Sequence, residues 1–150
     1  MAHAKEGYDR GKVALIYIYY ILREHSNYDH PLTQAQIAAY LENEYKIELD
    51  RKAISRNVDI LIEAGFEIVK GKGCYLDVRD FEDSELRLLI DAVLSSKVIS
   101  ARHSEDLIER ISGLSSVYFK NSIKHVHNLK SLGFTETVYF KNRKPYIETL

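Results

Sequence analysis

The spacing of apolar residues changes several times along the chain, and each change marks an element. From Lys12 to His25 the residues are apolar nearly all round, with no Gly or Pro, and the run closes on Arg23-Glu24-His25. It is too long for an ordinary strand, so it reads as a helix. It is sandwiched within its own domain, or its Tyr17, Tyr19 and Tyr20 side meets another subunit or the C-terminal half. A polar loop, Ser26 to Leu32, contains Pro31. Thr33, with Gln36 three positions on, has the form of a capping box, and Ile37, Ala38, Leu41 and Tyr40 share one face of a second helix over 34–43. Tyr45-Lys46-Ile47-Glu48-Leu49 alternates, which predicts a short strand.

The stretch from Asp50 to Gly65 organises the rest. Asp50 is a good helix N-cap, and Gly65 stands where a helix ends in a left-handed residue. Ile54, Val58, Leu61 and Ile62 recur at helical spacing and predict a buried stripe. The opposite face carries Lys52, Ser55, Arg56 and Asp59, with Arg51 at the start. After Gly65 the period shortens. Phe66 to Lys70 and Cys74 to Val78 flank Gly71-Lys72-Gly73, which predicts a β-hairpin with lysines Lys70 and Lys72 projecting from its tip.

Arg79-Asp80-Phe81-Glu82 marks a boundary, and helical periodicity resumes beyond it. Asp83 or Ser84 starts a helix with Leu86, Leu89, Ile90, Val93 and Leu94 on one stripe; the acidic Asp80, Glu82 and Asp83 suit its positive N-terminal end. Ser104 begins another, with Leu107, Ile108 and Ile111, ending at Gly113. A third is expected from Ser115 to Leu132, with Val117, Tyr118, Ile123, Val126 and Leu129, ending at Gly133; Phe134 to Leu150, which includes Thr137-Val138-Tyr139-Phe140, is weakly patterned. The fold class expected is mostly α with a small β-hairpin wing (α+β): a winged helix-turn-helix over 8–78, a helical linker or dimerisation region over 79–133, and a tail over 134–150.

Composition narrows the function. The 150 residues are 45% hydrophobic and 29% charged with two prolines, which describes a folded protein and not a disordered tail. A formal net charge of -1 excludes histone-like nonspecific binding, so any DNA contact must come from locally placed cations. The single Cys74 forbids an internal disulfide and fits a reducing cytosol. No signal-peptide core or membrane-spanning window is visible, so a cytoplasmic protein without membrane partners is expected.

The enzyme signatures sought are missing. Gly71 and Gly73 do not form a phosphate-cradling loop, and no serine sits in a nucleophile elbow. His125 and His127 would point about 200° apart on a helix and have no third ligand nearby. The expectation is a protein with no enzymatic activity, no cofactor and no metal.

A helix, a turn, a helix with a cationic polar face and then a basic hairpin is the order in which a winged helix-turn-helix enters a major groove. Lys52, Ser55 and Arg56 would face base edges, with Arg56 suited to a bidentate guanine contact. Arg51, Thr33, Gln34, Lys70 and Lys72 would hold phosphates. So few cations per chain predict a homodimer on an inverted repeat, with the helices from Asp83 on as its surface. A winged helix that docks a protein partner, its cations idle, is the alternative.

Several runs carry a family resemblance. Asp29-His30-Pro31-Leu32-Thr33-Gln34-Ala35-Gln36-Ile37, Asp50 to Val58 and Ala64-Gly65-Phe66-Glu67-Ile68 resemble the N-terminal region of bacterial WYL-domain transcriptional regulators. So do Gly73-Cys74-Tyr75-Leu76, Arg79-Asp80-Phe81, Glu85 to Lys97 and Leu107 to Ser116; together they cover most of residues 12–116. The resemblance implies a winged helix-turn-helix, a helical linker and then a ligand-sensing domain bearing a Trp-Tyr-Leu motif. This sequence has no Trp and departs there, and Asn57 stands where relatives often carry Asp. The expectation is an N-terminal part or truncated relative that takes no small-molecule ligand itself.

Overall fold

The computed structural model describes residues 10–124. Helices α1 (Arg10–His25), α2 (Gln34–Tyr45) and α3 (Arg51–Glu63) are followed by strands β1 (Ile68–Lys70) and β2 (Cys74–Leu76), then α4 (Asp83–Ser95), α5 (Ala101–Ser112) and α6 (Val117–Ser122). The protein is thus mostly helical with a small two-stranded antiparallel sheet, an α+β arrangement. Among the described residues no helix is long and apolar enough to cross a membrane. The expectations for His125, His127, Val126, Leu129, Gly133, Thr137 to Phe140 and the 134–150 tail fall outside the described residues.

Two hydrophobic cores form, one on each side of residues 77–85. The first joins Ala14, Ile18, Ile21 and Leu22 of α1 to Ile37 and Leu41 of α2, Ile54, Val58 and Leu61 of α3, and Ile68, Cys74 and Leu76 of the hairpin. The second joins Leu86, Ile90 and Val93 of α4 to Ile108 of α5 and to Phe119 and Ile123. The wide apolar surface of α1 follows from its neighbours, because it packs against α2, α3, β2 and α6. Tyr17 stacks on Tyr45 with ring centroids 3.9 Å apart, and Tyr19 meets Phe66 at 4.7 Å. Tyr20 stays exposed beside Gly113, Ser115, Ser116, Val117 and Lys120. Helix α1 is therefore sandwiched in its own unit and also borders the C-terminal helices.

Polar side chains join the pieces. Ser26 is fully buried; its hydroxyl donates to the Leu22 carbonyl and accepts from the Leu76 N–H, which ties β2 to the end of α1. Arg79 donates to the carbonyls of Arg23 (2.7 Å) and Ser26 (2.8 Å), so it caps the C-terminal end of α1 where carbonyls lack helical partners. Burial pushes the Arg79 guanidinium below its usual pKa range, with Asp83 opposing that shift. His30 stacks on Tyr118 at 3.6 Å, joining the α1–α2 loop to α6.

Several expectations need correction. Tyr45 to Leu49 is not a strand: α2 runs on to Tyr45, and Lys46 takes a left-handed conformation (φ 57°) with its N–H on the Glu42 and Leu41 carbonyls. The alternation was produced by a helix end followed by Ile47, which drops into the core. Ile62 is 38% exposed, since it lies about 80° round the helix from Ile54 while Val58 and Leu61 lie within about 40°. Leu89 is exposed at the edge of the α4 stripe for the same reason. Helix α5 starts earlier than Ser104, which is buried inside it; Ser100 is the cap and accepts from the His103 N–H. Ser116, not Ser115, caps α6.

The hairpin is held to the first unit at its tip. Leu32 exchanges both backbone hydrogen bonds with Cys74, at 2.8 and 2.7 Å. A Cβ on Gly73 would lie 3.0 Å from Pro31 Cβ and 3.1 Å from the Leu32 carbonyl oxygen. Gly73→Ala must therefore push the hairpin away from this backbone, at an expected cost of about 1–3 kcal/mol. Gly71→Ala meets only one atom, at 4.0 Å, and is the matched control. Urea unfolding of the two variants checks this; equal midpoints would show that the close approach costs nothing.

Candidate nucleic-acid interface

Helix α3 is positioned by signals at both ends. The Asp50 carboxylate accepts from the Ala53 N–H at 2.7 Å, fixing the first turn. At the other end Phe66 N–H reaches the Leu61 carbonyl, Gly65 N–H reaches that of Ile62, and Gly65 has φ +102°. This is the paired hydrogen bonding of a Schellman ending, which needs a residue at ease with positive φ. Between the ends Ile54, Val58 and Leu61 turn into the first core. That rotation leaves Arg51, Lys52, Arg56 and Asp59 exposed and Ser55 half-buried on the opposite face. Asn57, the point of departure in the family resemblance, is half-buried and donates to the Ala53 carbonyl at 2.8 Å.

The other candidate residues converge on the start of this helix. Thr33, Gln34, Arg51, Lys70 and Lys72, with the glycines of the hairpin turn, line one cleft of about 440 Å³. Thr33 Oγ1 accepts from Gln36 N–H at 3.2 Å, and the Gln36 side chain accepts from Thr33 N–H at 2.8 Å, so the expected capping box is formed. Two helix N-termini, of α2 and α3, border the cleft, and both bring partial positive charge with them. Among the described residues Arg51, Lys52, Arg56 and Lys72 have no hydrogen-bond or ion-pair partner. The positive charge missing from the overall balance is thus locally concentrated.

Lys70 does not project from the hairpin tip as expected. Its ammonium turns back on α3, 2.6 Å from Asp59 Oδ1 and 2.8 Å from Ser55 Oγ. Sequence reasoning placed Asp59 on this face but gave it no role; its partner lies 11 residues away across a turn, beyond any local pattern. Lys52, Ser55 and Arg56 stand on the outward face of α3 and not among the residues lining the cleft. The eight candidates therefore form two adjoining sets, a cleft and a helix face, bridged by Lys70.

Other chemistry is sparse. Cys74 is buried and its thiol pKa is pushed up by burial, the state of a packed and unreactive residue. Glu24, His25 and Glu44 bring three potential metal-ligand atoms within 4.8 Å of one another, the one such grouping among the described residues. His25 Nε2 lies 2.9 Å from Glu44 Oε1, and its ring stacks on Tyr40 at 4.0 Å. A packed imidazole–carboxylate pair accounts for that arrangement without an ion.

Comparisons of the chain with protein-family models, with curated proteins and with solved structures each return no significant match.

Proposed function

We propose that α1 to β2 form a winged helix-turn-helix that binds double-stranded DNA, and that the protein is a transcriptional regulator of the bacterial WYL-domain type. The observation that carries this reading is the cationic outward face of α3 beside the cleft that holds Thr33, Gln34, Arg51 and Lys72. A helix seated on its core by one stripe, with unpaired Arg and Lys on the other, can enter a major groove while neighbouring cations and helix N-termini grip phosphates. Lys52, Ser55 and Arg56 read base edges in this account, and Lys72 holds the backbone. With so few phosphate contacts per chain, a homodimer on an inverted repeat supplies the affinity, and the helices from Asp83 on provide its surface.

Fluorescence anisotropy of a labelled duplex from the gene's own upstream region, beside a scrambled duplex, tests the reading at two salt concentrations. Binding that prefers the native sequence and weakens with salt is expected, with sedimentation showing a dimer. Equal weak binding to both duplexes would favour the other class, a winged helix that docks a protein partner. Lys72→Ala is expected to weaken native and scrambled duplexes alike and to lower the slope of log K against log salt by roughly one. An unchanged slope would remove Lys72 from the phosphate contacts.

A further inference from the structure

The two hairpin lysines differ in what they touch. Lys72 has no partner among the described residues, whereas Lys70 is bound to α3. An ammonium has three N–H donors and no acceptor. Those of Lys70 face three oxygens of α3: Asp59 Oδ1 at 2.6 Å, Ser55 Oγ at 2.8 Å and the Ser55 carbonyl at 3.5 Å. Its charge is balanced by Asp59, and no donor is left for a phosphate. The hairpin holds it there, because Lys70 pairs with Cys74, and Cys74 is in turn hydrogen-bonded to Leu32.

The consequence falls on Ser55. A serine hydroxyl ordinarily donates or accepts as its surroundings require. With Lys70 donating to Ser55 Oγ, the hydroxyl is already an acceptor on that side, and its one proton points elsewhere. Among the described residues that proton has no acceptor. Ser55 is half-buried on the flank of α3, about 60° round the helix from the exposed Lys52 and about 100° from Arg56.

We infer that Lys70 is a positioning residue for sequence recognition: it fixes Ser55 as a hydrogen-bond donor toward the DNA, so that the base opposite Ser55 must present an acceptor. This rests on the DNA-binding reading above and deepens it. In the major groove guanine offers N7 and O6, adenine N7 and thymine O4, whereas cytosine offers only its N4 amino donor. The base read by Ser55 is therefore a purine or thymine, and cytosine is rejected.

The experiment selects a duplex from a library with a randomised centre, then substitutes each base of the selected site in turn. Wild-type protein is expected to reject cytosine at one position by about two- to tenfold, the value of one hydrogen bond. Lys70→Met removes the donors, frees the hydroxyl to rotate, and should abolish that discrimination while leaving the salt slope unchanged. Lys70→Arg keeps a charged donor at this place and should restore it. In a Ser55→Ala background Lys70→Met should have no further effect on base preference, a dependence that loss of hairpin structure would not mimic. Circular dichroism confirms that each variant is folded. A Lys70→Met protein that binds all sequences more weakly, with a salt slope lower by about one, would make Lys70 a phosphate contact and overturn the inference. So would an effect undiminished by Ser55→Ala. If the wild-type chain shows no preference for any duplex, the DNA-binding reading falls first and this inference with it.

Discussion

Truncating Ile54 to alanine is expected to destabilise the α1–α3 and hairpin unit by about 2–5 kcal/mol. Ile54 is fully buried in the α3 stripe, within the core that α3 shares with α1 and α2. Removing three of its carbons forfeits their transfer energy and leaves a void that rigid helices on two sides fill poorly. Against a typical domain stability of roughly 5–15 kcal/mol, the loss is a large share. The urea midpoint should fall with the slope unchanged, which marks lost stability and not a changed denatured state. Ile62→Ala is the internal comparison. It is one apolar residue of the same helix, but at 38% exposure its truncation should stay within about 0.5 kcal/mol. Equal midpoints for the two variants would mean that the stripe does not seat α3.

Arg56→Ala carries the second large effect, this time on binding. Arg56 is exposed and has no partner among the described residues, so its guanidinium is free to meet a base without first breaking an internal ion pair. A bidentate guanine contact is worth about 1–3 kcal/mol of discrimination, or roughly 5- to 150-fold. Loss should be confined to the selected sequence and should relax preference at a single base pair, with the scrambled duplex little affected. The folded state should be unchanged, because the side chain buries nothing. If Arg56→Ala binds the selected duplex as wild type does, α3 does not read DNA through this residue.

The contrast between Arg56 and Lys70 shows where a sequence pattern stops being informative. Both were placed on the binding surface by residue type and position. Arg56 stays as the pattern suggests because the nearest carboxylate on its face, Asp59 three residues on, is bound to Lys70. Lys70 is taken out of the phosphate set by Asp59, which comes within 2.6 Å only once the hairpin folds over α3. The Thr33, Gln34, Arg51 and Lys72 cleft was half legible: each residue was named, but their convergence on one hollow depends on how three elements pack. Arg79 was read as part of a boundary, and its grip on the Arg23 and Ser26 carbonyls at the end of α1, 56 and 53 residues earlier, has no trace in local spacing.

Sequence alone determined several caps and turns: Thr33 with Gln36, Asp50 at the start of α3, Gly65 at its end, and the Gly71-Lys72-Gly73 reversal. These signals act over three or four residues, so the chemistry that forms them is written in adjacent positions. Tertiary structure decided which flank of each stripe stayed wet, turned the 45–49 alternation into a helix end, and bent Lys70 back onto α3. Each of those outcomes depends on a distant partner or on a place in the shared core, as Ile47 takes after the local Lys46 cap, and both are fixed only when the helices close.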